Sequence, residues 1–316
     1  MLDSMKPLHI ETPLLESRAL SSLAGRSAWL KFEALQPPGS FKIRGIGLAC
    51  REYVRRGARR FISSSGGNAG IAVAYAGRCL EVPVVVVVPE TTTARAQELI
   101  RQEGAEVVVH GVSWQEANTL ALSMVGASDA FLHPFDDPLL WQGHASLVDE
   151  VARAGLKPGA VVLSVGGGGL LCGVAEGLRR NGWSDVPILA VETAGADSFA
   201  RSLETGERVE LPAITSIATS LGARQVCAEA LAWSQRHPIR SLVVSDPAAV
   251  AACLRFLDDH RVLVEPACGA ALAAVYDKAL ELEPFESVLI VVCGGATATI
   301  EQLRRWADQT GPNPSP

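Results

Sequence analysis

Five consecutive valines, Val84 to Val88, held between Val82-Pro83 and Pro89, constrain the fold more than any other stretch. β-Branched side chains without polar alternation suit a strand covered on both faces, and such strands belong to parallel sheets wrapped by helices. The flanking sequence agrees. Phe61-Ile62-Ser63 reads as a short strand before it, and Thr91 to Gly104 as a helix after it. Ala105 to His110 then reads as a strand and Ser113 to Met124 as a helix. Repeated βα units with right-handed crossovers follow. Further along, Ala160 to Val165, Ile188 to Glu192 and Val288 to Val292 read as a second series of buried strands. Between the two series, the aperiodic, proline-rich Phe131 to Pro138 reads as a connection. At 316 residues the chain has room for two domains and a large core.

Chemistry-bearing residues sit at the turns of this pattern. Ala28 to Glu33 alternates like a strand and leads through Gln36-Pro37-Pro38-Gly39 into Ser40-Phe41-Lys42-Ile43-Arg44-Gly45. Ile43 to Arg56 is helical and is stopped by Gly57, so Lys42 lies at a helix N-terminus. The helix dipole disfavours an ammonium there, and partial burial lowers its pKa further. A lysine so placed is a candidate amine for a Schiff base. Alone, it reads first as a solvated surface lysine, as most lysines are.

Two glycine-rich strand-to-helix turns add to this. Ser64-Ser65-Gly66-Gly67-Asn68-Ala69-Gly70 precedes a helix over Ile71 to Cys79 and turns backbone N–H groups toward an anion, carboxylate or phosphate. Asn68 supplies a neutral donor and acceptor where that helix begins. Gly166-Gly167-Gly168-Gly169-Leu170 precedes a helix beginning Leu171-Cys172-Gly173. Four glycines cost backbone entropy, which a phosphate cradle of main-chain N–H groups would justify. Neither the GxGxxG spacing nor a Gly-Lys-Ser/Thr ending is present, which disfavours dinucleotides and nucleoside triphosphates. Cys293-Gly294-Gly295 places a thiol at a strand end, the edge where open parallel sheets bind ligands. The plain alternatives are tight turns that bind nothing and a buried, inert cysteine. His133 and Phe135, with His144, could line a cleft, although single histidines in connections are mostly polar contacts.

Composition removes other classes. A net charge of −6 gives no basic footprint for nucleic acid, and Arg55-Arg56 and Arg59-Arg60 read as a solvated helix end. Seven cysteines without CxxC argue against a disulfide framework and suit a reducing compartment. No zinc-ligand pattern links the six histidines. Met1 to Pro13 lacks a signal-peptide pattern, and no apolar run approaches about 20 residues, so a cytoplasmic protein without a membrane span is expected.

The ordered set SxKxRG at Ser40, SSGGNAG at Ser64, GGGGL at Gly166, Glu265-Pro266-Ala267-Cys268-Gly269-Ala270-Ala271 and the terminal CGG resembles the pyridoxal-phosphate-dependent serine/threonine dehydratases over nearly the whole chain. SFKIRG, Trp141 to Val148 and LVEPACGAALAA are most similar to the animal-type L-serine dehydratases and their dehydratase-like relatives. The resemblance implies an α/β fold of type II, two open, mostly parallel twisted sheets flanked by helices. It implies a discontinuous large domain, 1–33 and 139–316, and a small domain, 34–138. Lys42 would carry pyridoxal 5'-phosphate, with Phe41 beside its ring, Asn68 on its phenolic oxygen, Gly166 to Leu170 on its phosphate and Cys293 at its pyridine nitrogen. A thiol there leaves the ring largely unprotonated.

The substrate carboxylate would be held by Ser65 and the N–H groups of Gly66, Gly67 and Ala69, with Asn68 and Phe135 also lining the substrate site. Lys42 would serve as base for the α-proton, with loss of hydroxide yielding pyruvate and ammonia from L-serine and, more weakly, 2-oxobutanoate from L-threonine. The related racemases have a serine where this chain has Gly66. The resemblance further implies a monovalent cation, K+ or Na+, at Gly166, Glu192, Ala196, Leu221 and Ala223, and a homodimer. Two positions depart from it. Ala296-Thr297 stands where many relatives have asparagine after CGG, removing a hydrogen bond near the cofactor, and Gly66-Gly67 widens the pocket. Other readings keep the fold with another β-substituted amino acid, through β-replacement or D-serine elimination, or make the chain a weakly active regulatory protein. No C-terminal regulatory domain is expected, and Gly311 to Pro316 reads as disordered.

Overall fold

In a computed structural model the described residues are 6–310, with side chains described through Gln309. Ten strands run in chain order as β1 (Leu14–Glu16), β2 (Ser27–Lys31), β3 (Arg60–Ser63), β4 (Val84–Val88), β5 (Glu106–Val109), β6 (Asp129–Leu132), β7 (Ala160–Ser164), β8 (Ile188–Thr193), β9 (Ile239–Val244) and β10 (Ser287–Val291). They form two sheets, ordered β1-β2-β10-β7-β8-β9 and β5-β4-β3-β6. Every pairing is parallel except β1 with β2. β10 is central in the larger sheet, with Val288 opposite both Ala28 and Ala160.

The five valines form β4, buried at all five positions, as a strand covered by helices on both faces must be. Its cover includes α3 (Asn68–Leu80), whose glycines and alanines let it lie close to the sheet: a Cβ on Gly77 would come 2.1 Å from a Val84 methyl. In the larger sheet, β7, β8 and β10 pack with one face against α11 (Pro266–Tyr276), which is apolar all round and fully enclosed and whose Ala271 N donates to Ser164 Oγ of β7 at 3.2 Å.

Several elements differ from the sequence reading. β2 ends at Lys31, and Glu33–Leu35 is a turn of 3-10 helix, because the Glu33 carboxylate is drawn inward by charged partners. Phe131 and Leu132 belong to β6, the fourth strand of the smaller sheet, and are not connection. Only 133–137 is irregular, and Pro138 begins α6 (Pro138–Arg153), where its missing N–H costs nothing. α3 starts at Asn68, three residues earlier than the periodicity suggests, and α7 (Gly169–Arg180) starts inside the glycine run. The expectation for 311–316 lies outside the described residues.

One buried ion network fixes the helix that begins at Lys42, α2 (Lys42–Arg55). Arg44 is fully buried and donates to Glu33 through Nε at 2.6 Å and Nη2 at 2.8 Å. It also donates to Glu150 through Nη1 at 2.6 Å and Nη2 at 2.7 Å. Lys31 Nζ donates to the same Glu150 at 2.5 Å, and Thr12 bonds Glu33 at 2.6 Å. Burial alone would raise the Glu150 carboxyl, but Arg44 and Lys31 outweigh it and hold it below its ordinary value. The two carboxylates likewise outweigh burial at Arg44 and raise its pKa. Two cations and two carboxylates thus tie β2, the turn after it, α2 and α6 together.

Replacing Arg44 by Ala strands two buried carboxylates and is expected to destabilise the protein by about 3–5 kcal/mol, read as a lower urea midpoint at unchanged m-value. Because the Glu150 pKa is depressed, the contribution of that carboxylate is present at neutral pH and is lost as pH falls through its folded-state value.

Candidate active site

The segment entering α2 is bound backbone to backbone to the chain's terminal CGG turn. Phe41 N donates to Cys293 O at 3.0 Å and Gly295 N to Gly39 O at 3.1 Å. The approach needs glycine: a Cβ on Gly294 would stand 2.5 Å from Ser40 Cβ. Lys42 is held by this join at the start of α2, in reach of Cys293 and Glu265. Its Nζ donates to the Pro134 carbonyl at 2.6 Å. The residue is partly exposed, but its amine lies deep, and burial lowers its pKa to about 8 against the opposing pull of Cys293 and Glu265.

The four glycines are required by contact. After β7, Gly168 is left-handed (φ 91°) and a Cβ there would meet Ala230 Cβ at 2.5 Å. A Cβ on Gly167 would meet the Phe135 ring at 2.2 Å, and one on Gly169 the Phe135 carbonyl oxygen at 2.7 Å. One on Gly166 would lie 2.9 Å from Leu221 Cα. The first N–H groups of α7 have no acceptor within their helix and carry its positive end. With Leu170, these residues surround the start of α7, where free main-chain N–H groups could meet an anion. The segment 133–137 joins cradle to lysine, since Pro134 takes the amine and Phe135 lies on Gly167. His133 has a plainer part: its Nδ1 accepts from Asp136 N at 2.8 Å and shapes the turn.

The second glycine turn lies at the C-terminal end of β3. A Cβ on Gly70 would fall 1.8 Å from the Ser65 carbonyl oxygen, so the turn demands glycine there. Gly66 lies against Thr92, and Gly67 N donates to Ser65 Oγ at 3.4 Å. Asn68 opens α3 ahead of Ala69. Its Nδ2 donates to Glu265 Oε1 at 2.6 Å, while its buried Oδ1 has no partner. Asn68 therefore joins the cluster of Lys42, Cys293 and Glu265. The Cys293 thiol is kept protonated, raised first by a hydrogen bond with Cys268 and then by burial. Phe41 meets buried His144 edge-on at 4.9 Å.

At the positions suggested for a cation, Glu192 is buried and accepts from Phe199 N at 2.9 Å and Ala200 N at 2.7 Å. Burial lifts its pKa to about 8 despite those bonds. Ala196 N returns to Thr193 O at 2.9 Å, and Ala223 N to Leu221 O at 2.8 Å. Among the described residues no group of three or more His, Cys, Asp or Glu side chains could hold a metal ion.

Two members of the cluster were not legible as such. The Pro134 carbonyl carries no side-chain signal, and Glu265 appeared only inside an otherwise apolar motif, where a lone acid was the available clue. Thr297, in the Ala296-Thr297 pair after the CGG turn, lies close enough to Glu265 to lower its pKa.

Residues 5–294 match the family described as "Pyridoxal-phosphate dependent enzyme". The chain belongs to this family. It is 50% identical to the human L-serine dehydratase/L-threonine deaminase over 319 residues, 98% of this chain and 97% of that one. It is also 50% identical to the mouse serine dehydratase-like protein over 317 residues, 97% of this chain and 96% of that one. Among solved structures, the L-serine ammonia-lyase of Rhizomucor miehei superposes with a TM-score of 0.92 at 35% identity, covering 96% of this chain and 99% of that one. The processed threonine deaminase isoform 2 of Solanum lycopersicum gives 0.86 at 30% identity, covering 96% and 89%. The two-sheet architecture is the type II fold of pyridoxal-phosphate enzymes, as the sequence resemblance implied.

The residues present fit that cofactor. A lysine amine of lowered pKa, the free N–H groups where α7 begins in the glycine run and a protonated thiol at Cys293 suit an aldehyde, a phosphate and a neutral pyridine ring.

Two measurements check this geometry. In cofactor-free protein, acylation of Lys42 followed by peptide mass mapping should titrate with a midpoint near 8. Gly167→Ala should cost about 1–3 kcal/mol in thermal unfolding, because the Phe135 ring has to move, and adding Phe135→Leu should recover part of that loss.

Proposed function

We propose that the chain is an L-serine ammonia-lyase, converting L-serine to pyruvate and ammonia and, more weakly, L-threonine to 2-oxobutanoate. The observation that carries this reading is the Lys42 amine, with its pKa brought to about 8 between the glycine cradle and the Asn68 turn. The 50% identity to L-serine dehydratase/L-threonine deaminase over nearly both full lengths supports the choice of substrate.

In this reading Gly166 to Leu170 hold the cofactor phosphate, Phe41 packs beside its ring, Asn68 hydrogen-bonds its phenolic oxygen, and Cys293 faces its nitrogen. Pyridoxal phosphate, when bound, draws electron density from the substrate α-carbon and so acidifies its proton. Ser65 Oγ and the N–H groups of Gly66, Gly67 and Ala69 hold the substrate carboxylate, with Asn68 and Phe135 beside it. Lys42 Nζ takes the α-proton, and its lowered pKa leaves a substantial share neutral near physiological pH. Cys293, kept protonated, offers the ring nitrogen no negative charge, so loss of the β-hydroxyl has to relieve the charge at the α-carbon. Gly66 carries no acidic side chain for return of a proton from a second face, which favours elimination over racemisation.

The same reading makes 34–138 the small domain, and 1–33 with 139–316 the large one. It places K+ or Na+ among the carbonyls of Gly166, Ala196, Leu221 and Ala223 and the Glu192 carboxylate, whose oxygens keep further lone pairs beyond those used on α8 (Ser198–Thr205). It includes a cytoplasmic homodimer acting on a small amino acid, with no nucleic-acid or membrane partner. No helix among the described residues is long and apolar enough to cross a membrane.

Purified protein should show a visible absorbance band, and borohydride followed by peptide mapping should fix the cofactor to Lys42. L-Serine should yield pyruvate without an added thiol. Lys42→Ala should lose that activity by about 10³-fold or more. A band without pyruvate would leave a cofactor-binding protein of another activity, and borohydride labelling of a different lysine would overturn the assignment.

A further inference from the structure

Glu265 immediately precedes α11, at the position where an acidic side chain ordinarily caps a helix, yet it makes no cap bond. Its side chain turns away from its own helix. It is almost fully buried and accepts from Asn68 Nδ2 at 2.6 Å. The Ser220 and Thr297 side chains lie close enough to hold its pKa down. These three side chains come from separate parts of the chain. Asn68 opens α3 on the smaller sheet. Ser220 lies in the turn Thr219–Leu221, packed behind Gly166, and its carbonyl oxygen is 3.1 Å from where a Gly166 Cβ would stand. Thr297 follows the CGG turn. The backbone of Glu265 is pinned to that same turn, with its N–H donating to Gly294 O at 3.3 Å and a Gly295 Cβ excluded at 2.7 Å from its nitrogen.

We propose that Glu265 is a positioning residue for the site: it sets the Asn68 amide and, through Ser220 and Thr297, keeps that amide in register with the phosphate cradle and the Cys293 turn. The inference rests on the cofactor reading above and adds to it a residue that touches neither substrate nor cofactor. With Nδ2 held by Glu265, the amide of Asn68 cannot turn over, which fixes where its second N–H and its unpartnered Oδ1 point.

Burial raises the Glu265 pKa, and Ser220, Asn68, Lys42 and Thr297 act against that rise. The titratable groups that feel this carboxylate are Lys42 on α2, Cys293 after β10 and Cys253 on α10 (Asp246–His260).

The test uses the holoenzyme with Glu265→Gln, Glu265→Ala and Thr297→Val, reading the visible band of the bound cofactor from pH 6 to 10 alongside pyruvate kinetics. Glu265→Gln keeps the size of the side chain and removes its charge. It should move the pH transition of the band downward by about one unit, because a carboxylate near Lys42 is gone. It should also lower kcat by about tenfold or more while changing KM little. Thr297→Val should move both readouts in the same direction by less. Should Glu265→Ala fail to fold, the other two variants carry the test. A Glu265→Gln enzyme with a wild-type band across the range and kcat within about twofold of wild type would sink this inference alone. A wild-type protein that binds no pyridoxal phosphate would sink it together with the reading of the site.

Discussion

The arrangement depends first on Arg44, a guanidinium with no exposure to solvent that is shared by two carboxylates. A buried cation is tolerated only when its charge and its donors are met, and here Glu33 and Glu150 meet them through paired contacts. Glu33 lies just past β2, Glu150 lies on α6, and Arg44 lies one residue from Lys42's neighbour Ile43 on α2. Displacing α2 by a fraction of a turn would separate these partners, so the network sets the height and rotation of the helix that carries Lys42.

A second constraint is close backbone approach. The cradle residues Gly166 to Gly169 and the turn at Gly294-Gly295 lie where other main chain or a ring already occupies the space of a Cβ. Phe135 takes part in this twice, with its ring on Gly167 and its carbonyl oxygen on Gly169. This explains how a short irregular segment, 133–137, can join the two sheets' ligand edges. It packs against backbone that has no side chains to hold it off, and Pro134 is thereby placed to receive the Lys42 amine.

Electrostatically the site balances desolvation against a few fixed partners. Burial drives the Lys42 amine toward its neutral form, while Cys293 and Glu265 pull the other way, and the result is a pKa of about 8. Glu192 shows the same tension, with two backbone N–H groups failing to offset its burial. The His144 ring, buried with neither nitrogen partnered, is held neutral mainly by burial, aided by the positive charges of Lys42 and Arg44.

Much of the fold and most of the candidate site could be read from the chain alone. Uninterrupted valines and glycine-rich turns after buried strands express local rules: a strand covered on both faces needs apolar side chains throughout, and backbone that must meet an anion cannot carry Cβ atoms. Those rules pointed to β4, to Gly166 to Gly169 and to Lys42 at a helix start. The sequence did not reveal that Phe131 and Leu132 pair with β3, because a four-residue strand followed by His-Pro-Phe has too little periodicity to separate from loop. It did not reveal that Glu33, Arg44 and Glu150 share one buried network, or that Glu265 reaches Asn68 across 197 positions. Residue type and spacing determined which groups could do chemistry, since propensity and conformational freedom are local. Which of them meet was decided by tertiary packing, because buried polar groups have to find partners wherever the two sheets bring the chain together.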